Sequence, residues 1–187
     1  MLVEIKKNSP GIILEIAYAT SGILNFAGVP IYKNPFCFLH EKAAEKIYAI
    51  AERAQILGFS LKIFDAFRPT EAQWKLWEIC PNPIFVADPS RGSAHSRGIA
   101  VDLTLVDAKT HEELDMGTPF DAFTEKSFHG NADISPLAQK NRLLFLGLMT
   151  EGGFDFYAKE WWHYQLFDAK SYPLLSDKDA PKSMMKD

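Results

Sequence analysis

SAHSRGIAVDLTL, residues 93–105, decides how this chain is read. From Ile99 onward, Ile99, Val101, Leu103 and Leu105 alternate with Ala100, Asp102 and Thr104, the period-two pattern of a half-buried strand. Aspartate is disfavoured in strands because its short side chain competes for backbone hydrogen bonds. An acid in mid-strand, with His95 just upstream across the glycine at 98, asks for a reason.

Around that strand the pattern predicts a mixed set of elements. Residues 12–17 read as a strand and 40–57 as a helix, with Ala43, Ala44, Ile47, Tyr48, Ile50, Ala51 and Ala54 as its apolar stripe and Gly58 as its stop. Residues 61–67 form a strand that ends at Arg68-Pro69, because proline cannot join a central ladder. Thr70 opens a helix with Gln73 as its capping-box partner. A Pro/Gly/Ser-rich loop fills 81–94, and a long irregular stretch runs from the strand to about residue 134. Ser135-Pro136 starts a helix closed by Gly152-Gly153, residues 161–167 form the last strand, and the polar tail after Tyr172 is expected to fray. Strands and helices do not alternate regularly. The expected fold is therefore α+β, a single domain over residues 1–187 with a mainly antiparallel central sheet and helices packed against it.

The whole-chain numbers agree. A chain of 187 residues with 47% hydrophobic and 24% charged residues buries one real core, which excludes disordered and fibrous classes. A net charge of −4, without a Lys/Arg cluster, offers no footprint for nucleic acid. No run approaches the roughly 18 apolar residues that span a membrane. The N-terminus does not read as a signal peptide, since Glu15 breaks its apolar run; a complete chain is expected in the cytoplasm. Cys37 and Cys80 have no CxxC partner and read as two buried thiols, with one disulfide as the alternative.

His95 and Asp102 supply one imidazole and one carboxylate, and residues 160–163, EWWH, add Glu160 and His163. Two histidines and one aspartate form a three-ligand zinc set with the fourth position open for water. Glu160 is then left over as general base, as the Glu of HExxH is. Residues three apart on a strand face opposite sides, so Glu160 shares the site only from a preceding loop or across a bulge. Blander readings stay open on residues alone. Asp102 can cap a turn or pair with Arg97, and His95 can be merely hydrogen-bonded. His40, His111 and His129 are competing imidazoles expected at the surface.

The two motifs resemble SxHxxGxAxD and ExWH of the D-alanyl-D-alanine dipeptidases, the VanX-type members of the D-Ala-D-Ala zinc peptidases (peptidase family M15). LEIAYAT (14–20), NFAG (25–28), FDAFRP (64–69) and DMGTPFDAF (115–123) fall in the same order as that family's blocks, so the likeness covers about residues 12–167. It implies one zinc per chain on His95, Asp102 and His163, with Glu160 as catalytic base and acid. It further implies Arg68 as stabiliser of the transition state, Asp121 as holder of the substrate's ammonium, and Ser93 as a substrate contact. Without it, Arg68 reads as a surface guanidinium and Asp121 as a turn cap. Phe67 departs from the Tyr often found before the arginine, so a hydroxyl role there is absent. The implied reaction is hydrolysis of the D-Ala-D-Ala dipeptide, a small-molecule substrate. The rivals are a D,D- or L,D-carboxypeptidase on longer cell-wall peptides and a non-catalytic zinc-binding or regulatory domain.

Overall fold

The strand expected at 99–105 runs from Ala100 to Asp107 and lies at the centre of a five-stranded sheet. The structure, a computed structural model, describes residues 1–186. In chain order it has β1 (Leu2–Glu4), β2 (Ile12–Leu14), β3 (Phe38–His40), α1 (Glu41–Ile56), β4 (Phe59–Asp65), α2 (Thr70–Ile79), β5 (Ala100–Asp107), α3 (Pro136–Glu151), β6 (Asp155–Phe156) and β7 (His163–Gln165). The large sheet has the order β2-β4-β5-β7-β6, while β1 and β3 pair separately. The expected α+β class holds. All neighbours in the large sheet are antiparallel except β2 and β4. That parallel pair is possible because β3 and α1 intervene, giving the chain the long crossover a parallel connection needs.

α1 buries Ala43, Ala44, Ile47, Ile50, Ala51 and Ala54 and packs against β4. His40 caps it by accepting from the Lys42 amide, and Gly58 reverses the chain at φ +87°. α3 begins as expected, with the Ser135 hydroxyl accepting from the Ala138 amide and Pro136 in the first turn. Leu61, Ile63, Val101, Leu103 and Leu105 are fully buried. Cys37 and Cys80 are both free thiols; Cys37 is buried and Cys80 half-buried.

Several boundaries differ from the sequence expectation. β2 stops at Leu14, and Ala17–Ala19 form a 3-10 turn instead of more strand. The last strand is only His163–Gln165, because Trp161 and Trp162 still belong to the preceding turn. Thr70 does not make a capping box: Pro69 is the N-cap and Gln73 is buried beside Arg68. His129 is half-buried rather than on the surface, its ring edge-on to Phe156 and Tyr164, and burial lowers its pKa to about 4.

The tail is the largest departure. Leu175 donates its amide to the Ser96 carbonyl and accepts from Thr70, so it bridges the 95–97 turn and the start of α2. Asp177 is buried and accepts from the Ser183 hydroxyl at 2.7 Å and from the amides of Met184 and Met185 at 2.7 and 3.2 Å. Met184 is buried against the core, and its carbonyl accepts from the amides of Lys33 and Asn34. One buried acid thus organises a segment whose polar composition reads as frayed. Asp177→Ala leaves those donors without an acceptor, at about 1–3 kcal/mol for the buried ones. We expect a lower urea midpoint and faster proteolysis after residue 171; an unchanged midpoint would show that the tail contributes nothing to stability.

Candidate metal centre

β4, β5 and β7 place three polar residues side by side. Asp102 is the cross-strand partner of His163 on one side and of Asp65 on the other. Directly paired residues share a face, so these side chains emerge together. An unbroken β4 would pair Phe64 with Asp102, but a register shift between Ile63 and Asp65 brings Asp65 opposite instead. The bulge turns an acid to the face where a phenyl ring would stand.

His95 reaches the same point from the 3-10 turn His95–Arg97, which closes on Gly98 at φ +69°. The left-handed conformation favours glycine there, and a Cβ would also lie 2.4 Å from Leu2 Cδ2, so the leucine tip would have to move. His95 Nε2, His163 Nδ1 and the two Asp102 oxygens converge: Nε2 to Nδ1 is 3.1 Å, Nδ1 to Oδ1 3.1 Å and Nε2 to Oδ2 3.2 Å. These three residues form the metal-capable cluster among the described residues.

The tautomers decide what that convergence means. His95 Nδ1 lies 2.7 Å from the Ala66 carbonyl oxygen, which only accepts, so Nδ1 carries the proton. His163 Nε2 lies 3.1 Å from Gln165 Oε1 and likewise donates. The remaining ring nitrogens therefore aim two lone pairs and a carboxylate at one another. A cation resolves that arrangement, and outer acceptors of this kind are what orient histidine ligands. Zinc bonds of about 2.0–2.1 Å space tetrahedral ligands about 3.3 Å apart, close to the separations observed. The donor set fits zinc.

Glu160 lies in the turn before β7, as its shared site with His163 requires. Its amide donates to the Tyr157 carbonyl, and Oε2 is 3.9 Å from His163 Nδ1. The loop alternative is the one realised. Burial first, then the negative Asp102 and Asp121, push the Glu160 carboxyl well above the usual range, with Arg68 pulling the other way. Asp102 behaves oppositely: burial works to raise its pKa, but His95 and His163 outweigh it and keep the carboxyl ionised.

Arg68 is buried, not a surface guanidinium. Its Nε and Nη2 grip Asp65 Oδ2 at 2.9 and 2.8 Å, Nη1 donates to Gln73 Oε1 at 3.1 Å, and Nη2 is 3.6 Å from Asp102. Tyr32 donates to the other Asp65 oxygen, and the guanidinium lies over the Tyr18 ring. Burial works against its charge, but Asp65 together with Tyr18, Tyr32 and Asp102 more than offsets this. Asp121, at φ +56°, accepts from the Tyr18 hydroxyl at 2.7 Å, and burial raises its pKa despite that bond. Ser93 is buried, with its hydroxyl accepting from the His95 amide. Arg97 does not pair with Asp102; its Nη1 donates to the Tyr172 carbonyl.

All seven residues singled out from sequence line one cavity of about 350 Å³. His40 and His111 lie away from it. Sequence reading missed Tyr18, Asp65, Gln73 and Gln165. Tyr18 and Asp65 stand in the quoted blocks LEIAYAT and FDAFRP, and Asp65 three residues before Arg68 was a readable hint. Gln73 and Gln165 carry no sequence signal.

Comparison with known proteins places the chain among relatives. A peptidase M15 family model, described as D-ala-D-ala dipeptidase, matches residues 1–180. The D-alanyl-D-alanine dipeptidase of Escherichia coli K12 is 43% identical over 177 residues, which are 95% of this chain and 90% of that protein. Those of Enterococcus faecium and Enterococcus faecalis are 33% and 32% identical, each over 87% of this chain and 89% of the relative.

Removing the Asp65 charge strands the buried Arg68 guanidinium. Asp65→Asn is expected to cost about 3–5 kcal/mol of folding stability, read as a shift of the denaturant midpoint; a shift under about 1 kcal/mol would mean that water or Asp102 takes over the pairing.

Proposed function

The chain belongs to the D-Ala-D-Ala dipeptidase family of peptidases, and from that premise we propose that it is a zinc enzyme hydrolysing the D-Ala-D-Ala dipeptide, with Glu160 as general base and acid. The observation that carries the reading is the convergence of two histidine lone pairs and Asp102 beside Glu160, in a cavity that also holds Arg68 and Asp121.

His95, Asp102 and His163 would hold the metal, which when bound lowers the pKa of water towards 7 and polarises the scissile carbonyl. Glu160 takes the proton of the attacking water and passes it to the departing amine. A carboxyl whose pKa is raised by burial is a better proton acceptor than an ordinary glutamate and suits both halves of that transfer. Arg68 offers its cavity-facing N–H to the carbonyl oxygen as negative charge develops, an interaction of the order of 2.7–4 kcal/mol in the barrier. Asp65 and Gln73 preset its orientation, so none is spent on reorganisation.

The charge inventory supports a substrate with a free ammonium. Asp102, Asp121 and Glu160 crowd the cavity, while Arg68 is already matched by Asp65. A dication and an ammonium restore the balance. Asp121, steadied by Tyr18, is the anchor for the amino terminus, and Ser93 is a wall contact with substrate. The volume of about 350 Å³ lies at the small end for ligand pockets and favours a short peptide over a cell-wall strand. Glu160 and Arg68 in the same cavity favour turnover over a passive zinc module.

Purified protein is expected to carry one zinc per chain, lost in His95→Ala and His163→Ala but kept in Glu160→Ala, which loses hydrolysis by orders of magnitude. Elemental analysis beside a D-Ala-D-Ala assay reads both. Loss of zinc in Glu160→Ala would make that residue a ligand.

Length selectivity is the second check. N-acetylation strands a desolvated carboxylate at about 1–3 kcal/mol, so D-Ala-D-Ala should exceed its N-acetyl form by about tenfold or more in kcat/KM. Asp121→Asn narrows that gap. Equal rates on the dipeptide and on a pentapeptide ending in D-Ala-D-Ala would favour the carboxypeptidase instead.

A further inference from the structure

Among the described residues, the cavity holds one half-buried cation without a counter-charge, Arg97. Arg97 sits on the same 3-10 turn as His95 and lines the cavity together with Gly92, Ser93, Ala94 and Ala169. Its Nη1 donates to the backbone carbonyl of Tyr172. Gly92, at φ +80°, leaves room for it: a Cβ there would lie 3.1 Å from Nη2. Among the described residues no carboxylate lies within 4.0 Å of Arg97. Arg68, by contrast, is already paired with Asp65 and is the proposed donor to the scissile carbonyl, so it is not the free partner for a terminal carboxylate.

A partly desolvated guanidinium bound only to a carbonyl is incompletely satisfied, and its planar fork matches a carboxylate. The acids of the cavity belong elsewhere: Asp121 to the Tyr18–Arg68 wall, and Glu160 to the turn before β7. In a dipeptide the free carboxylate follows the scissile amide across a single Cα, so a residue on the metal ligand's own turn is placed for it. We propose that Arg97 forms the subsite for the substrate's C-terminal carboxylate and makes the site selective for peptides ending in a free acid. The inference rests on the dipeptidase reading. Asp121 and Arg97 then act as opposite charges for the two termini, so that length is read from both ends.

The alternative duty of Arg97 is to tie the tail to the 92–97 wall through Tyr172. That duty affects stability and all substrates alike, whereas a carboxylate subsite affects only acids. The experiment compares D-Ala-D-Ala with its C-terminal carboxamide on the zinc-loaded wild type and on Arg97→Gln, whose amide can still serve the Tyr172 carbonyl. Arg97→Met, keeping the apolar stem, replaces it if the glutamine variant does not fold. The wild type is expected to favour the free acid by about tenfold or more, mainly in KM. The variant brings that ratio close to one, with the larger loss falling on the free acid. Calorimetric binding of the two peptides to Glu160→Ala gives the same comparison without turnover. Equal wild-type rates on acid and carboxamide overturn the subsite while leaving the dipeptidase reading intact, and so does a variant that slows both peptides by the same factor. A wild type that cleaves neither overturns both.

Discussion

Three neighbouring strands present Asp65, Asp102 and His163 in one row, and the rest of the site depends on that row. Sheet register is a stiff constraint: a slip of one residue sends every side chain to the opposite face. A metal ligand on a central strand is thereby held more tightly than one on a loop. The bulge in β4 is what lets the row extend to Asp65, and Asp65 in turn holds Arg68. The metal-capable residues and the proposed oxyanion donor are thus braced by one piece of sheet, with the 95–97 turn and the turn before β7 adding His95 and Glu160 from either side.

Charge is the second organising quantity. The site collects acids at a depth where each alone is costly, and it uses different means to keep them there. Asp65 is balanced internally by Arg68, while Asp102 faces two histidine ring nitrogens and needs a cation between them. Asp121 and Glu160 have no such full partner, and burial raises both pKa values. The proposed function supplies the missing positive charge from outside, as an ammonium at Asp121 and as a metal on Asp102 beside Glu160.

Much of this was legible in the chain itself. Alternation over residues 99–105, the glycine at 98, the Ser-Pro start of α3 and the glycine stop after α1 are local signals, and local backbone preference decides them. The three metal-capable residues and Glu160 were visible because such chemistry needs particular side chains at particular spacings, and strand geometry narrowed Glu160 to a preceding loop or a bulge, of which the loop is realised.

What only the tertiary structure decided are features that depend on partners far along the chain. Gln73 reads as a helix cap and becomes the brace of Arg68; the polar tail reads as frayed and is pinned by Asp177; Arg97, one candidate partner for Asp102, binds Tyr172 instead. The β4 bulge has no sequence mark, since Phe64 and Asp65 satisfy either register until β5 is beside them. Residue type and spacing determined which chemistry this protein can carry, because those are properties of short segments. Which polar groups meet in the dry interior was settled by packing, because a buried hydrogen bond is chosen by whatever donor or acceptor the fold delivers to it.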